Sequence, residues 1–279
     1  MENDPREGVT KARFEQTVAS VEFFFPRFKG HLAWARAVLS GWGVAHEPKH
    51  TVPLPRPAAC LIAVHLAACQ HTRLGCGLIL QQRKGLRPSE MLHLMPGDMV
   101  RSEDTGRTDV AEHIAVRLGT RTGTKAKRAQ FTIIRKPEDP DLYAMLCHLK
   151  RTTQPTERLF PYTIDMYRTL LKQVEAKLGL AIGWTPHSAR AGYASDSAVE
   201  GRSFVETREG GRWLADSSLR IYIDVVSTAQ IGLDLQSAGL VPALAFAQQH
   251  LLAYFPEGCF SSDHGGRWSR AGLRVQPKA

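Results

Sequence analysis

Pro48, Pro53, Pro55 and Pro57 crowd residues 44–57, and no other feature limits so strongly how the chain can fold. A proline ring fixes φ and removes a backbone donor, so a run this dense has no place inside a helix or a central strand. A linker is expected there, with a division near residue 50. That leaves a short helical segment over residues 1–50, a main domain over 51–255, long enough for one sizeable core, and a basic, Gly-rich tail over 256–279.

On both sides of the linker the apolar spacing is mostly helical. Phe14, Val18, Val21 and Phe25, then Leu32, Ala35 and Leu39, recur at helical intervals and predict one or two helices. Residues 58–70 predict a buried helix, and residues 78–83 fit helix or strand. Further helices are predicted over residues 141–151, 163–178, 186–200, 203–213 and 217–226, with a last, strongly apolar one over 240–254. Residues 112–118 and 130–134 carry β-branched side chains on either side of a basic, Gly-containing turn, which predicts a hairpin. The expected fold class is α+β: a mainly helical domain with a small antiparallel β-sheet, preceded by a short helical segment.

Lysine and arginine number 36 against 27 aspartates and glutamates, a net charge of +9. This favours a polyanionic partner such as nucleic acid but also suits a basic protein without one. A content of 43% hydrophobic and 23% charged residues is that of a globular chain, not a disordered or fibrous one. Cys60, Cys69, Cys76, Cys147 and Cys259 are odd in number and lack CxxC spacing, so neither a disulfide framework nor a zinc ribbon is expected, and a reducing, intracellular compartment fits. Apolar runs such as residues 58–68 fall short of the roughly 20 residues that span a bilayer, and residues 1–13 do not have the make-up of a secretory signal. His65, Cys69 and His71 fit an apolar helix better than a metal site, and His250, Cys259 and His264 lack zinc spacing. Neither a metal nor a cofactor is expected.

Reactive side chains concentrate at four places. In Gly85-Leu86-Arg87-Pro88-Ser89-Glu90, Pro88 suits the first position of a helix and Glu90 its first turn, which sets Arg87 at a helix N-terminus. In Thr185-Pro186-His187-Ser188-Ala189-Arg190, Thr185 suits the cap and Pro186 the first helical position. His187 and Arg190, three apart, then share a face beside the positive end of the helix, where a phosphate would be welcome. Trp213 and Tyr222 are the third and fourth. Asp216 or Ser217 can cap a short helix whose Leu219 and Ile223 pack inward, leaving Tyr222 beside that stripe at the edge of a pocket. Taken singly, an aromatic residue on a helix is more often core, and Arg-Pro at a helix start is usually a solvated cap.

Order and spacing are more specific. Arg87, His187 and Arg190 three apart, Trp213 twenty-three residues further on and Tyr222 nine beyond that resemble the tyrosine recombinase signature of Arg, His-x-x-Arg, His or Trp, and Tyr. The flanks Leu86-Arg87-Pro88-Ser89-Glu90, His187-Ser188-Ala189-Arg190-Ala191-Gly192 and Ser218-Leu219-Arg220-Ile221-Tyr222-Ile223 resemble it too. The resemblance is to the phage-integrase type of catalytic domain and covers roughly residues 53–254. It implies DNA recombination or integration by a mobile-element enzyme that cuts and rejoins double-stranded DNA, without a metal, through a 3′-phosphotyrosyl intermediate. Arg87 and Arg190 would stabilise charge on the phosphate oxygens. His187 would donate to an oxygen or help move the tyrosine proton, and the indole N–H of Trp213 would donate to the same phosphate. Tyr222, ordinarily titrating near about 10, would need this cationic surround to act as nucleophile.

The family also places a lysine on a β-hairpin between the first two boxes, where it protonates the departing 5′ oxygen. Lys125 is the preferred match and Lys127 the second. An alternative alignment puts Arg121 there, whose guanidinium is too weak an acid for the task. Arg121, Lys127 and Arg128 are expected to contact DNA phosphates, which is also the alternative reading of the whole basic turn. Glu90 would either orient an arginine from behind the site or simply match the helix dipole. In one respect the resemblance fails: family members carry an upstream DNA-clamping domain, for which residues 1–50 leave room only for a truncated region. A decayed, non-catalytic DNA-binding protein and type IB topoisomerase-like relaxation therefore stay open as alternatives. Strand exchange would assemble a homo-oligomer on DNA through the helix at residues 240–254. It would take place in the nucleus of a eukaryote, or the cytoplasm or nucleoid of a bacterium.

Overall fold

The computed structural model describes residues 10–45, 51–106, 110–119 and 129–261. It divides into two compact units, residues 1–50 and 51–279. In the first, helix α1 (Lys11–Phe24) begins where the Thr10 hydroxyl accepts from the Arg13 N–H and ends before Pro26, which cannot donate to continue it. Helix α2 (Ala33–Ala45) follows. Arg36 grips both carboxylate oxygens of Glu22 at 2.6 and 2.8 Å, joining the two helices. Phe14, Val18, Val21, Ala35 and Leu39 lie on helices, as their spacing predicts, while Phe25 and Leu32 fall just outside them, and no side chain described between residues 10 and 42 is buried.

The second unit contains the core. Residues 53–55 are buried and extended, not a loose linker: Leu54 donates to the Ser188 carbonyl at 2.9 Å, and the indole N–H of Trp184 donates to the Pro53 carbonyl at 3.0 Å. Prolines suit such a segment because its missing donors need no partners. Pro57 lies inside the first turn of α3 (Arg56–Ala68), where a helix leaves its N–H groups unbonded anyway. After α3 comes α4 (Thr72–Lys84), in which every residue from Thr72 to Gln82 is buried. The ambiguous stretch at residues 78–83 is thus helix. It turns polar because Gln81 donates to the Pro186 carbonyl at 2.7 Å and accepts from Tyr167 Oη at 3.1 Å, while Gln82 donates to Asp196 at 2.7 Å.

A short helix α5 (Pro88–Leu92) leads into a three-stranded antiparallel sheet of β1 (Met99–Arg101), β2 (His113–Leu118) and β3 (Gln130–Arg135). The predicted hairpin is present, with Leu118 opposite Gln130 and Ile114 opposite Ile134. Ile114, Val116 and Leu118 alternate into the core. The remaining helices are α6 (Pro140–Thr152), α7 (Ile164–Lys177), α8 (Ser188–Val199), α9 (Phe204–Gly210), α10 (Asp216–Arg220), α11 (Val225–Ser237) and α12 (Val241–Gln249). The domain is mainly helical with a small antiparallel sheet. Among the described residues no helix is long and apolar enough to cross a membrane.

Four expectations need correction. Helix α8 begins at Ser188, not Pro186, because the Ser188 hydroxyl accepts from the Thr185 N–H at 2.9 Å and closes a separate turn. Helix α9 stops at Gly210 instead of running to residue 213, since Arg212 takes a left-handed φ of 60°. The single helix expected over 217–226 is two helices, broken between Arg220 and Val225, with Asp224 capping the second by accepting from Ser227. The segment 240–254 is α12 followed by a 3-10 turn (Leu251–Tyr254). Helix α12 packs on α3 of its own chain. The core also takes in Phe260.

Two measurements check this packing. A Cβ built on Gly192 would stand 1.9 Å from the Leu54 carbonyl oxygen, whereas one on Gly232 in α11 meets nothing within 4 Å. Gly192→Ala should cost about 2–4 kcal/mol in urea unfolding, while Gly232→Ala should gain roughly 0.5–1 kcal/mol from helix propensity. Asp196 lies under the N-terminus of α3 and accepts from the Arg56 N–H at 2.8 Å; burial pushes its carboxyl up to about 6 despite that bond and the Arg56 charge. An acid with a raised folded-state pKa favours folding below its unfolded pKa and loses that benefit as pH climbs to the folded value. Wild type should therefore lose up to about 3 kcal/mol relative to Asp196→Asn between about pH 4 and pH 6, with little relative change above.

Candidate active site

The site is assembled on the C-terminal end of α4. Gly85 ends that helix with φ 59°, a left-handed turn that glycine makes without strain, and an added Cβ would come within 2.8 Å of the Tyr193 ring. Its carbonyl turns inward and receives two guanidiniums: Arg190 Nη1, from α8, and Arg212 Nη2 at 3.2 Å, from the turn after α9.

Two residues on, Arg87 caps α5, with Pro88 at the first helical position. The buried Glu90 carboxylate does two things at once. It accepts from the Arg87 N–H at 2.9 Å, closing the cap, and from Arg87 Nη1 at 2.7 Å, orienting the side chain. Its second oxygen also accepts from Arg212 Nη2 at 3.2 Å. Burial alone would raise the Glu90 carboxyl, but the charges of Arg212 and Arg87, with the Arg87 N–H, hold it below its ordinary value.

Arg190 is wholly buried. Its guanidinium carbon stacks 3.9 Å from the Trp213 ring centre and 5.7 Å from that of Tyr222. The Trp213 and Tyr222 ring centres are 5.6 Å apart, and Tyr193 stacks on Trp213 at 6.2 Å. Tyr222 lies in the turn after α10, not within a helix. Buried Ser195 holds that turn by donating to the Tyr222 carbonyl at 3.2 Å and accepting from the Asp224 N–H at 3.0 Å. His187 caps α8 at the exposed surface one turn before Arg190, its carbonyl accepting from the Arg190 N–H at 3.1 Å. Arg87, Arg190, Trp213 and Tyr222 thus share one neighbourhood. Lys125, Arg121, Lys127 and Arg128 lie outside the described residues.

Two nitrogens of Arg190, Nε and Nη2, are buried without a hydrogen-bond partner, and so is the indole nitrogen of Trp213. Buried donors this close together are rarely left unmet in a folded protein. Burial pushes the Arg190 guanidinium below its ordinary value, repulsion from Arg87 adds to this, and Glu90 offsets only part. A guanidinium does not shed its proton at neutral pH, so the direction signifies a buried cation that burial and its neighbour Arg87 leave undercompensated. Among the described residues no cluster of His, Cys, Asp and Glu could hold a metal ion.

Arg212, Ser195 and Tyr193 were not singled out from the sequence. Gly210-Gly211 ahead of Arg212 does mark a helix stop, but nothing local shows that a basic side chain turns inward to meet carbonyls of α4.

No protein-family model matches the chain, and no curated protein matches it. Among solved structures it is similar to the XerH site-specific recombinase bound to difH substrate in a pre-cleavage complex, at 13% identity and a TM-score of 0.45, over 62% of this chain and 50% of that one. It is similar to XerH on a palindromic difH substrate in a post-cleavage complex, at 14% identity and 0.45, over 69% and 54%. A third is the XerA recombinase, at 16% identity and 0.45, over 84% and 85%. The chain spans about half the length of the XerH chains.

An anion should repair the electrostatics of this pocket. Inorganic phosphate at constant ionic strength should raise the wild-type melting temperature by roughly 2–4 °C. Arg190→Met should melt no lower than wild type without phosphate, because it removes a buried charge with unmet donors, and should gain nothing from phosphate. Equal phosphate responses in the two proteins would place the anion elsewhere.

Proposed function

We propose that the chain cuts and rejoins double-stranded DNA by phosphoryl transfer to Tyr222, without a metal ion, in site-specific recombination or integration. The observation that carries this reading is the buried Arg190 guanidinium, with two unpartnered nitrogens, stacked on Trp213 and facing the Tyr222 ring. A phosphodiester supplies what these groups lack: oxygens for the Arg190 and Trp213 donors, and a phosphorus within reach of a tyrosine hydroxyl.

In this reading Tyr222 Oη bonds to phosphorus and the bond from phosphorus to the 5′ oxygen breaks, leaving a 3′-phosphotyrosyl link. Attack by a 5′ hydroxyl reverses the step. Arg87 and Arg190 balance the charge that builds on the non-bridging oxygens, and Glu90 keeps Arg87 aimed. Trp213 donates its N–H to the same phosphate. His187 at the α8 N-terminus takes up or donates a proton, and Lys125 is assigned the proton for the departing oxygen. Arg121, Lys127 and Arg128 are assigned to backbone phosphates, and residues 1–50 to a DNA-clamping region. Copies assembled on DNA would meet through faces that the docked α12 leaves open, such as exposed Val241 and Phe246.

The test is covalent trapping on nicked duplexes that prevent religation. Wild type should form a protein–DNA adduct that denaturation does not remove. Tyr222→Phe keeps the ring against Arg190 and should form none, with DNA affinity within about twofold of wild type. An adduct that survives Tyr222→Phe rules out this nucleophile.

A further inference from the structure

Arg212 stands behind the site, and its position is costly. It is a buried cation, held at a φ of 60° that non-glycine residues seldom adopt, beside two other arginines. Burial pushes its guanidinium below the ordinary value, with Glu90 opposing that. What it touches is informative. Nη1 donates to the carbonyls of Lys84 and Gly210, both at 3.1 Å; Nη2 donates to the Gly85 carbonyl and to Glu90 Oε2, both at 3.2 Å. One nitrogen therefore bridges the two acceptors on which the other arginines depend: Gly85, which holds Arg190, and Glu90, which holds Arg87.

We propose that Arg212 is a positioning residue that keeps Glu90 off Arg190, so that the free nitrogens of Arg190 remain open to an anion. This rests on the reading of the site as a phosphate pocket. The Glu90 carboxylate already attracts Arg190 through space. With Arg212 removed, Glu90 Oε2 and the Gly85 carbonyl both lose a donor, and Arg190, whose Nε and Nη2 are unmet, is a cation that Glu90 attracts. A Glu90–Arg190 pair would then occupy the place of the phosphate. The left-handed backbone at residue 212 fits this role: it turns the side chain back under α4 while its neighbour Trp213 packs on Arg190.

Inorganic phosphate binding and adduct formation on nicked duplexes, measured side by side, test the proposal, with circular dichroism in phosphate-free buffer to verify folding. Arg212→Met should weaken phosphate binding about tenfold or more, the scale of losing charge-assisted hydrogen bonds, and slow adduct formation at least as much. Adding Glu90→Gln, which removes the competing charge, should restore most of the phosphate affinity. A purely structural role for Arg212 predicts no such rescue, since the second change removes a further contact. Arg212→Lys, which reaches only some of the four acceptors, should fall about threefold and be rescued the same way; this pair decides the matter if Arg212→Met does not fold. Wild-type phosphate affinity in Arg212→Met, no recovery in the double variant, or a wild type that binds no phosphate overturns the proposal. The phosphate series involves neither DNA nor Tyr222, so a wild type that binds phosphate without forming adducts would refute the cleavage reading while the role of Arg212 is still decided.

Discussion

The carbonyl at the end of α4 is the point from which the site is organised. A helix leaves its last carbonyls unbonded, and a buried end must find donors for them. Here those of Lys84 and Gly85 are met by arginine side chains brought from α8 and from the turn after α9. The demands are mutual: the helix end needs donors, and buried guanidiniums need acceptors. Only glycine meets both conditions at residue 85, a left-handed turn and an open face against Tyr193.

The arrangement leaves a surplus of positive charge. Arg87 and Arg212 pair with one buried carboxylate, Glu90, and Arg190 feels it only through space. Replacing such groups by apolar residues commonly stabilises a protein, so their presence indicates a use other than stability. The aromatic faces of Trp213 and Tyr222 soften the cost by receiving the Arg190 cation. They do so without using up its N–H donors, which an acidic partner would.

Much of the fold was legible in the chain. The apolar spacing gave away most helices, and β-branched residues around a basic turn gave away the hairpin. Two of the misreadings share a cause. Residues 53–55 looked like a linker because prolines exclude regular structure, yet an extended segment can be buried if its carbonyls find donors, as Pro53 does in Trp184. The helix expected through Tyr222 is broken by bonds to Ser195, a residue far away in sequence. Both errors lie where a long-range hydrogen bond overrides a local preference, whereas the start of α8 and the end of α9 are set by a short-range bond and by the left-handed turn at Arg212.

By itself the sequence determined which chemistry the chain could carry: Arg87, His187, Arg190, Trp213 and Tyr222 in order, and Pro88 with Glu90 to start a helix at Arg87. These are properties of residue type and short spacing, to which local backbone preferences respond directly. Tertiary structure alone decided that Arg190 would be wholly buried with open donors, that Arg212 would join it, and that Glu90 would serve two arginines. A guanidinium placed on a surface or in a core is written with the same letter. Which it becomes depends on whether distant carbonyls and rings close around it, and that is settled only when α4, α8 and the turn after α9 pack together.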